Sequence, residues 1–334
     1  MRISPYEFKK KVLITIGVVI AGMLLLVPSV GQVSAEPLRV GVSPTGVVSL
    51  ICLADTQGFY KKQGLDVVIK EYEAGSLAAN GLVEDKVDIA AAAEFVFVLQ
   101  SLKHPDLRMS ATICMGSDIE LIVRKDHGIA RPEDLKGKRV AVTRGSAGEF
   151  FLNTYLIFNR IPSRRVQFVN YKPSEMVKAM AEGTIDAALS WLPHTIEMMR
   201  QLGGNGAHWP AQSGQDYYEA LFAKEGLLKK QPKAMEQFLA ALVEAEEFLT
   251  KHSDRAEPIL VNRLKIDEDL FRAIRSRTHF QLRLSQDMLV LMEREAKWAI
   301  RNNLVKKKEM LNYLDFIYFD ALEKVKPEAV SIVH

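Results

Sequence analysis

Residues 135–156, LKGKRVAVTRGSAGEFFLNTYL, read as a short strand that runs into a Gly-Ser turn and then opens a helix. Arg139-Val140-Ala141-Val142-Thr143 has the β-branched composition of a strand, Gly145 supplies the freedom of a tight turn, and Ser146 is of the type that starts helices. The same strand occurs upstream, where Arg39-Val40-Gly41-Val42-Ser43 matches residues 139–143 at an offset of 100. Three further landmarks follow in register at offsets of 98 or 99: Tyr72 with Tyr171, Ser76 with Ser174, and Val87-Asp88-Ile89-Ala90 with Ile185-Asp186-Ala187-Ala188. Four landmarks in one order make two similar α/β halves.

Periodicity fills in each half. Strands are expected at 38–42, 66–72, 87–91, 107–114 and 119–125, with helices at 47–61, 76–84 and 94–103 between the first four. The second series runs strand 139–143, helix 148–159, strand 165–171, helix 174–181 and strand 185–189. This alternation builds parallel sheets, whose strand-to-helix loops gather at the carboxyl edge where open α/β sheets take ligands. Two such edges facing each other make a cleft. From Pro232 the pattern turns to amphipathic helices at 233–250, 255–264, 268–277, 285–302 and 307–313, which pack on the first half. Residues 119–125 and 217–223 read as the strands that cross between halves. The organisation expected is residues 1–35 as a signal peptide, 36–124 as the first part of lobe 1, 125–222 as lobe 2, and 223–334 as the helical return to lobe 1.

The leader has the order of an export signal: Arg2, Lys9, Lys10 and Lys11, an apolar run over 12–27, then Val33-Ser34-Ala35 as a cleavage site. The apolar run is long for a signal, so an uncleaved N-terminal membrane anchor is the alternative. Taking off the leader removes four of 44 Lys and Arg and one of 41 Asp and Glu, leaving 40 of each, so a nucleic-acid partner has no compositional support. Cys52 and Cys114 both sit in apolar runs and read as buried thiols, with a disulfide as the alternative.

No nucleophile elbow, phosphate loop, zinc motif or Cys pair at metal spacing is present, and the seven His are scattered, so neither a catalytic residue nor a metal or cofactor is expected. The densest acidic cluster, Glu244, Glu246 and Glu247, reads as a solvated helix face. What remains is a set of helix starts with free N–H groups and partial positive charge. Arg144, Gly145, Ser146 and Ala147 form one such start, and Ser43, Pro44, Thr45 and Gly46 hold the matching place in the first half. Gly75 and Ser76 open a second helix, with Ser174 its counterpart. Ala93 and Glu94 follow one Asp motif and Trp191 the other; Trp191 offers a flat apolar wall. Tyr217, and His194 more weakly, are included by position. Glu94 would repel an anion, so it points away, begins its helix, or recognises an amino group. Asp88 and Asp186 are expected to tether loops.

Taken together, the leader and the stretches LRVGVSPTG, GFYKKQGLDVVI, VDIAAAAE, DLKGKRVAVTRGSAGEFFL and GTIDAALSWLPH resemble the nitrate, sulfonate, taurine and thiamine-precursor binding proteins of ABC importers. The resemblance covers residues 38–224 and extends to the helical tail in kind. It implies an α/β, two-lobed type II periplasmic binding protein fold with a ligand cleft between lobes and a helical C-terminal tail. It further implies a periplasmic or extracytoplasmic, monomeric receptor that closes on a small anionic or zwitterionic solute and passes it to a membrane permease. Enzymes of thiamine-pyrimidine or menaquinone-type biosynthesis on the same fold, and a ligand-sensing subunit of a membrane signalling system, are the alternatives.

Overall fold

The computed structural model describes residues 36–306 and 308–334; the expected signal peptide lies outside them. The strands are β1 (Leu38–Val42), β2 (Val67–Glu71), β3 (Ile89–Ala93), β4 (Leu107–Gly116), β5 (Glu120–Arg124), β6 (Arg139–Val142), β7 (Gln167–Asn170), β8 (Ala187–Ser190), β9 (Gly206–Pro210), β10 (Tyr217–Lys224) and β11 (Thr278–Arg283). The helices are α1 (Ser49–Thr56), α2 (Phe59–Lys62), α3 (Gly75–Val83), α4 (Glu94–Ser101), α5 (Ala147–Phe158), α6 (Pro173–Glu182), α7 (His194–Leu202), α8 (Glu225–Lys230), α9 (Pro232–Lys251), α10 (Ser253–Leu264), α11 (Glu268–Arg277), α12 (Gln286–Arg301) and α13 (Asp320–Val325).

Two sheets carry these strands, in the orders β11-β4-β10-β3-β1-β2 and β7-β6-β8-β5-β9. Each has a parallel trio, β2-β1-β3 in one and β7-β6-β8 in the other, flanked by an antiparallel strand, β10 or β5. In both trios the chain goes out from the first strand on one side and returns on the other. The carboxyl ends of β1 and β3, and of β6 and β8, are therefore switch points, where α/β sheets leave a crevice.

The sequence repeat has a structural cause. Arg39 donates its backbone N–H and guanidinium to Asp88, at 2.6–2.9 Å, and Arg139 does the same to Asp186, at 2.7–3.1 Å. Each pair ties the start of the first strand of a trio to the start of the third. Burial pushes the Asp186 carboxyl up, but Arg139 and His127 outweigh it and hold the group well below the usual carboxylate range. The repeated tyrosines make a second tie: Tyr72 and Tyr171 donate N–H to the carbonyls of Val42 and Val142 at 2.8 and 3.3 Å.

Several expectations change. Strand β5 belongs wholly to the second sheet and β10 wholly to the first, so the chain passes between sheets in the short stretches 117–119 and 211–216. Gln212 fastens the two passages, accepting from Ile119 N–H at 2.8 Å and donating to Gly116 carbonyl at 2.9 Å. The helix expected at 47–61 breaks into α1 and α2 at Gly58, whose φ of 71° suits a residue without Cβ. No helix forms over 308–312, and Lys307 is outside the described residues. Strand β11 interrupts the helical tail by pairing with β4, a tertiary partner that local pattern does not reveal. Of the acidic cluster on α9, Glu247 is exposed as expected, whereas Glu244 accepts from Lys62 and Gln63, and Glu246 accepts from Leu282 N–H and Lys326. Cys52 and Cys114 are buried free thiols, and burial pushes Cys52 up to about 12.

Core packing joins the sheets beneath their facing edges. Phe95 of α4 and Phe150 of α5 stack at 5.5 Å, and Trp298 of α12 meets them at 5.7 and 5.5 Å. Aromatic pairs of this kind add roughly 0.5–1.5 kcal/mol each beyond area burial. Among the described residues no helix is long and apolar enough to cross a membrane.

Candidate functional site

The facing carboxyl edges border a cavity whose space, open solvent at its mouth included, is about 500 Å³. From the first sheet come Ser43, Thr45 and Val47 after β1, Ala74, Gly75 and Ser76 at the start of α3, and Ala93 and Val96 after β3. From the second come Ser146 and Ala147 after β6 and Trp191 after β8. The crossing segments add Ile119, Tyr217 and Glu219.

The helix starts are built to leave donors free. After β6 the chain turns at Gly145, with φ of 72°, and enters α5, where Ser146 donates its hydroxyl to Thr143 carbonyl at 2.7 Å. Gly145 N–H is taken by Glu149 at 2.8 Å and Arg144 N–H by Asn170 at 3.0 Å. Ser146 N–H goes to Thr143 carbonyl at 3.4 Å, and the two N–H groups after it, of Ala147 and Gly148, have no protein acceptor among the described residues. Across the cavity the N–H groups of Gly75 and Ser76 are equally free. Gly75 permits this approach, because a Cβ there would lie 2.8 Å from Ala92 Cβ and 3.0 Å from its Cα.

Other expected residues have different surroundings. Gly46 is buried against α11, where a Cβ would meet Ile274 at 2.4 Å, and Pro44 is exposed. Arg144 and Gly145 line a wider outer space of about 1060 Å³ that shares Ala74, Ser76 and Val96 with the cavity and also carries Lys103 and Lys172. Ser174 lies outside the cavity and donates its hydroxyl to Glu73, whose carboxylate also pairs with Lys172 at 3.2 Å. These contacts connect the loop before α3 to the start of α6, one from each sheet. Tyr217 lines the cavity while its hydroxyl is spent on Asp118 at 2.9 Å, and Asp118 also accepts from Leu192 N–H. His194 stands edge-on to Trp191 at 6.4 Å.

Glu94 begins α4, fully buried, and does not line the cavity. It accepts from Tyr218 N–H at 2.8 Å and faces Glu295 of α12. Burial pushes both carboxyls up, so the pair holds a proton rather than two charges. The acid that reaches the cavity is Glu219, on the face of β10 that Tyr217 also occupies. It is 4% exposed, and burial, with Glu94 and Asp118 nearby, pushes it up to about 8. Sequence pattern held one signal for it: a charged residue two positions after Tyr217 in a stretch, 217–223, that is otherwise apolar. Val47, Ala74, Val96 and Ile119 carried none, being ordinary apolar residues whose place depends on the opposed sheets.

A family model described as NMT1/THI5 like matches residues 47–256. A putative binding protein of Brucella abortus is 25% identical over 252 residues, covering 73% of this chain and 77% of that protein. The taurine-binding periplasmic protein of Escherichia coli is 24% identical over 219 residues, covering 65% and 64%. Among solved structures, the alkanesulfonate-binding protein SsuA from Xanthomonas axonopodis pv. citri superposes with a TM-score of 0.73 at 18% identity, over 85% of this chain and 98% of that one. The shared fold is the two-lobed periplasmic binding protein architecture.

Proposed function

The chain belongs to the NMT1/THI5-like family, and from that premise we propose that it is an extracytoplasmic receptor that binds a small organic anion or zwitterion and delivers it to an ABC importer. The observation that carries this reading is the convergence of free N–H groups from two helix starts, those of Gly75 and Ser76 and that of Ala147, each start belonging to a different sheet, on one cavity. An anion placed there gains roughly 0.3–1 kcal/mol from each helix terminus. Neither half supplies the whole set, so the anion is fully held only when the two edges meet. Binding then shifts the population toward closure, and a membrane permease reads the closed shape.

The short passages at 117–119 and 211–216 serve as the hinge, and the Glu73 contacts to Ser174 and Lys172 hold the mouth shut. Ser43, Thr45, Ser76 and Ser146 give the solute hydroxyl partners, and Trp191 a flat wall. The sulfonate and taurine named for the related proteins agree with a small solute of this kind, as does the periplasmic place of one of them.

Thermal unfolding in the presence of taurine, alkanesulfonates, nitrate, bicarbonate, aromatic carboxylates and pyrimidines tests the proposal. A solute at a hundred times its Kd stabilises the native state by about 2.7 kcal/mol, an upward shift of several degrees. The expected hit is recovered chemically unchanged. A hit that is consumed overturns the receptor reading in favour of an enzyme, and stabilisation by none of these solutes removes the small-solute reading.

A further inference from the structure

Among the described residues Glu219 is the one acid on the cavity wall, and no arginine, lysine or histidine lines that wall with it. Glu219 is 4% exposed as a residue, and its carboxyl makes no hydrogen bond or ion pair with any described residue. A nearly buried carboxyl without a protein partner costs stability, so at the wall of a cavity it is a place for water or a polar group of a bound solute. The neighbours of the carboxyl do not supply one. Glu94 on α4 and Asp118 before β5 are acids, the Cys114 thiol on the adjacent β4 is buried, and the Tyr217 hydroxyl on the same strand is engaged with Asp118. Every titratable group around it therefore adds negative charge or none. The basic side chains Lys103, Arg144 and Lys172 line the outer space instead.

We propose that Glu219 is a subsite for a protonated amine, so that the solute is a small zwitterion, its anionic end on the helix starts and its ammonium group on the Glu219 carboxylate. The inference rests on the receptor reading and narrows it. Binding draws an ion pair out of a carboxyl that burial keeps protonated in the empty cavity, so a proton leaves Glu219 for solvent as the amine arrives. Affinity for an amine therefore rises with pH, by about tenfold per unit between pH 5.5 and 7.5.

The test compares matched pairs that differ only in amine against hydroxyl: taurine with isethionate, β-alanine with 3-hydroxypropionate, and benzylamine with benzyl alcohol. Calorimetry is run on the wild type and on Glu219→Gln between pH 5.5 and 7.5. The amine members are expected to bind at least tenfold tighter, with the stated pH slope and with proton release visible as a dependence of heat on buffer ionisation. Glu219→Gln is expected to lose preference, slope and proton release together while keeping its fold, checked by its melting temperature. If isethionate or 3-hydroxypropionate binds as tightly as its amine partner, or if Glu219→Gln keeps the preference, the amine subsite is overturned and the receptor reading stands. An affinity for the hydroxyl members that falls as pH rises assigns Glu219 the opposite role, a protonated donor to an anion, and also overturns it. Silence from every pair removes the receptor reading for solutes of this size, and the subsite with it.

Discussion

Glu219→Gln should make the empty protein more stable at neutral and alkaline pH, although it alters the wall of the proposed site. The carboxyl sits at about 8 in the fold against an ordinary value of 4.5, because burial disfavours its charged form and Glu94 and Asp118 add to the effect. A folded value raised above the unfolded one means that stability is fully present below pH 4.5, declines through the interval, and is lost above about 8. At about 1.4 kcal/mol per unit, the full interval amounts to roughly 5 kcal/mol, a ceiling because the carboxylate opens on a cavity that water enters. Glutamine has the same shape and no charge, so the variant escapes this one loss while retaining the titrations of Glu94 and Glu295. Calorimetric unfolding of both proteins at pH 5, 6, 7 and 8 reads the difference. For a chain of this size about 1 kcal/mol corresponds to about 2 °C, so the gap in melting temperature should be small at pH 5 and reach several degrees at pH 8. Parallel curves over that range would refute the reasoning, since they would mean that Glu219 ionises as easily in the fold as out of it.

Gly75→Val forces a side chain into Ala92, whose backbone cannot yield, and should cost about 1–3 kcal/mol in urea unfolding while weakening any solute that stabilises the wild type. Asp186→Ala strands the Arg139 N–H, leaves its half-exposed guanidinium only the Gly183 carbonyl and frees His127, and should lower stability by about 1–2 kcal/mol at pH 7. The Asp186 carboxyl is held below its ordinary value, so its contribution is present above pH 3.8 and is lost as pH falls through the folded value; the wild-type and variant curves should converge in acid. Glu73→Gln cuts an exposed contact between the two sheets and should change stability by less than about 1 kcal/mol. It should nevertheless raise the open population, read as a larger radius of gyration in solution scattering; an unchanged radius would show that the contact does not hold the mouth.

The repeat of Arg-Val-x-Val and Val-Asp-Ile-Ala was legible because each half repeats the same strand and the same Arg–Asp tie, and local residues fix both. Helix starts at Gly75 and Ser146 were equally legible, since a glycine or serine after a strand marks where backbone donors go free. Which of those loops share one cavity was not. Gly46 turned toward Ile274, Ser174 toward Glu73, and Arg144 toward the outer space, because those directions are set by elements distant in the chain. The two acids show the division best. Sequence placed Glu94 at the site by its position after β3, but the fold encloses it against Glu295, whereas β10 carries Glu219 to the cavity wall from a strand more than a hundred residues away. Local chemistry determines that a strand ends, a helix starts and donors are left over. Only the antiparallel insertion of β10 between β3 and β4 decides which charge faces them.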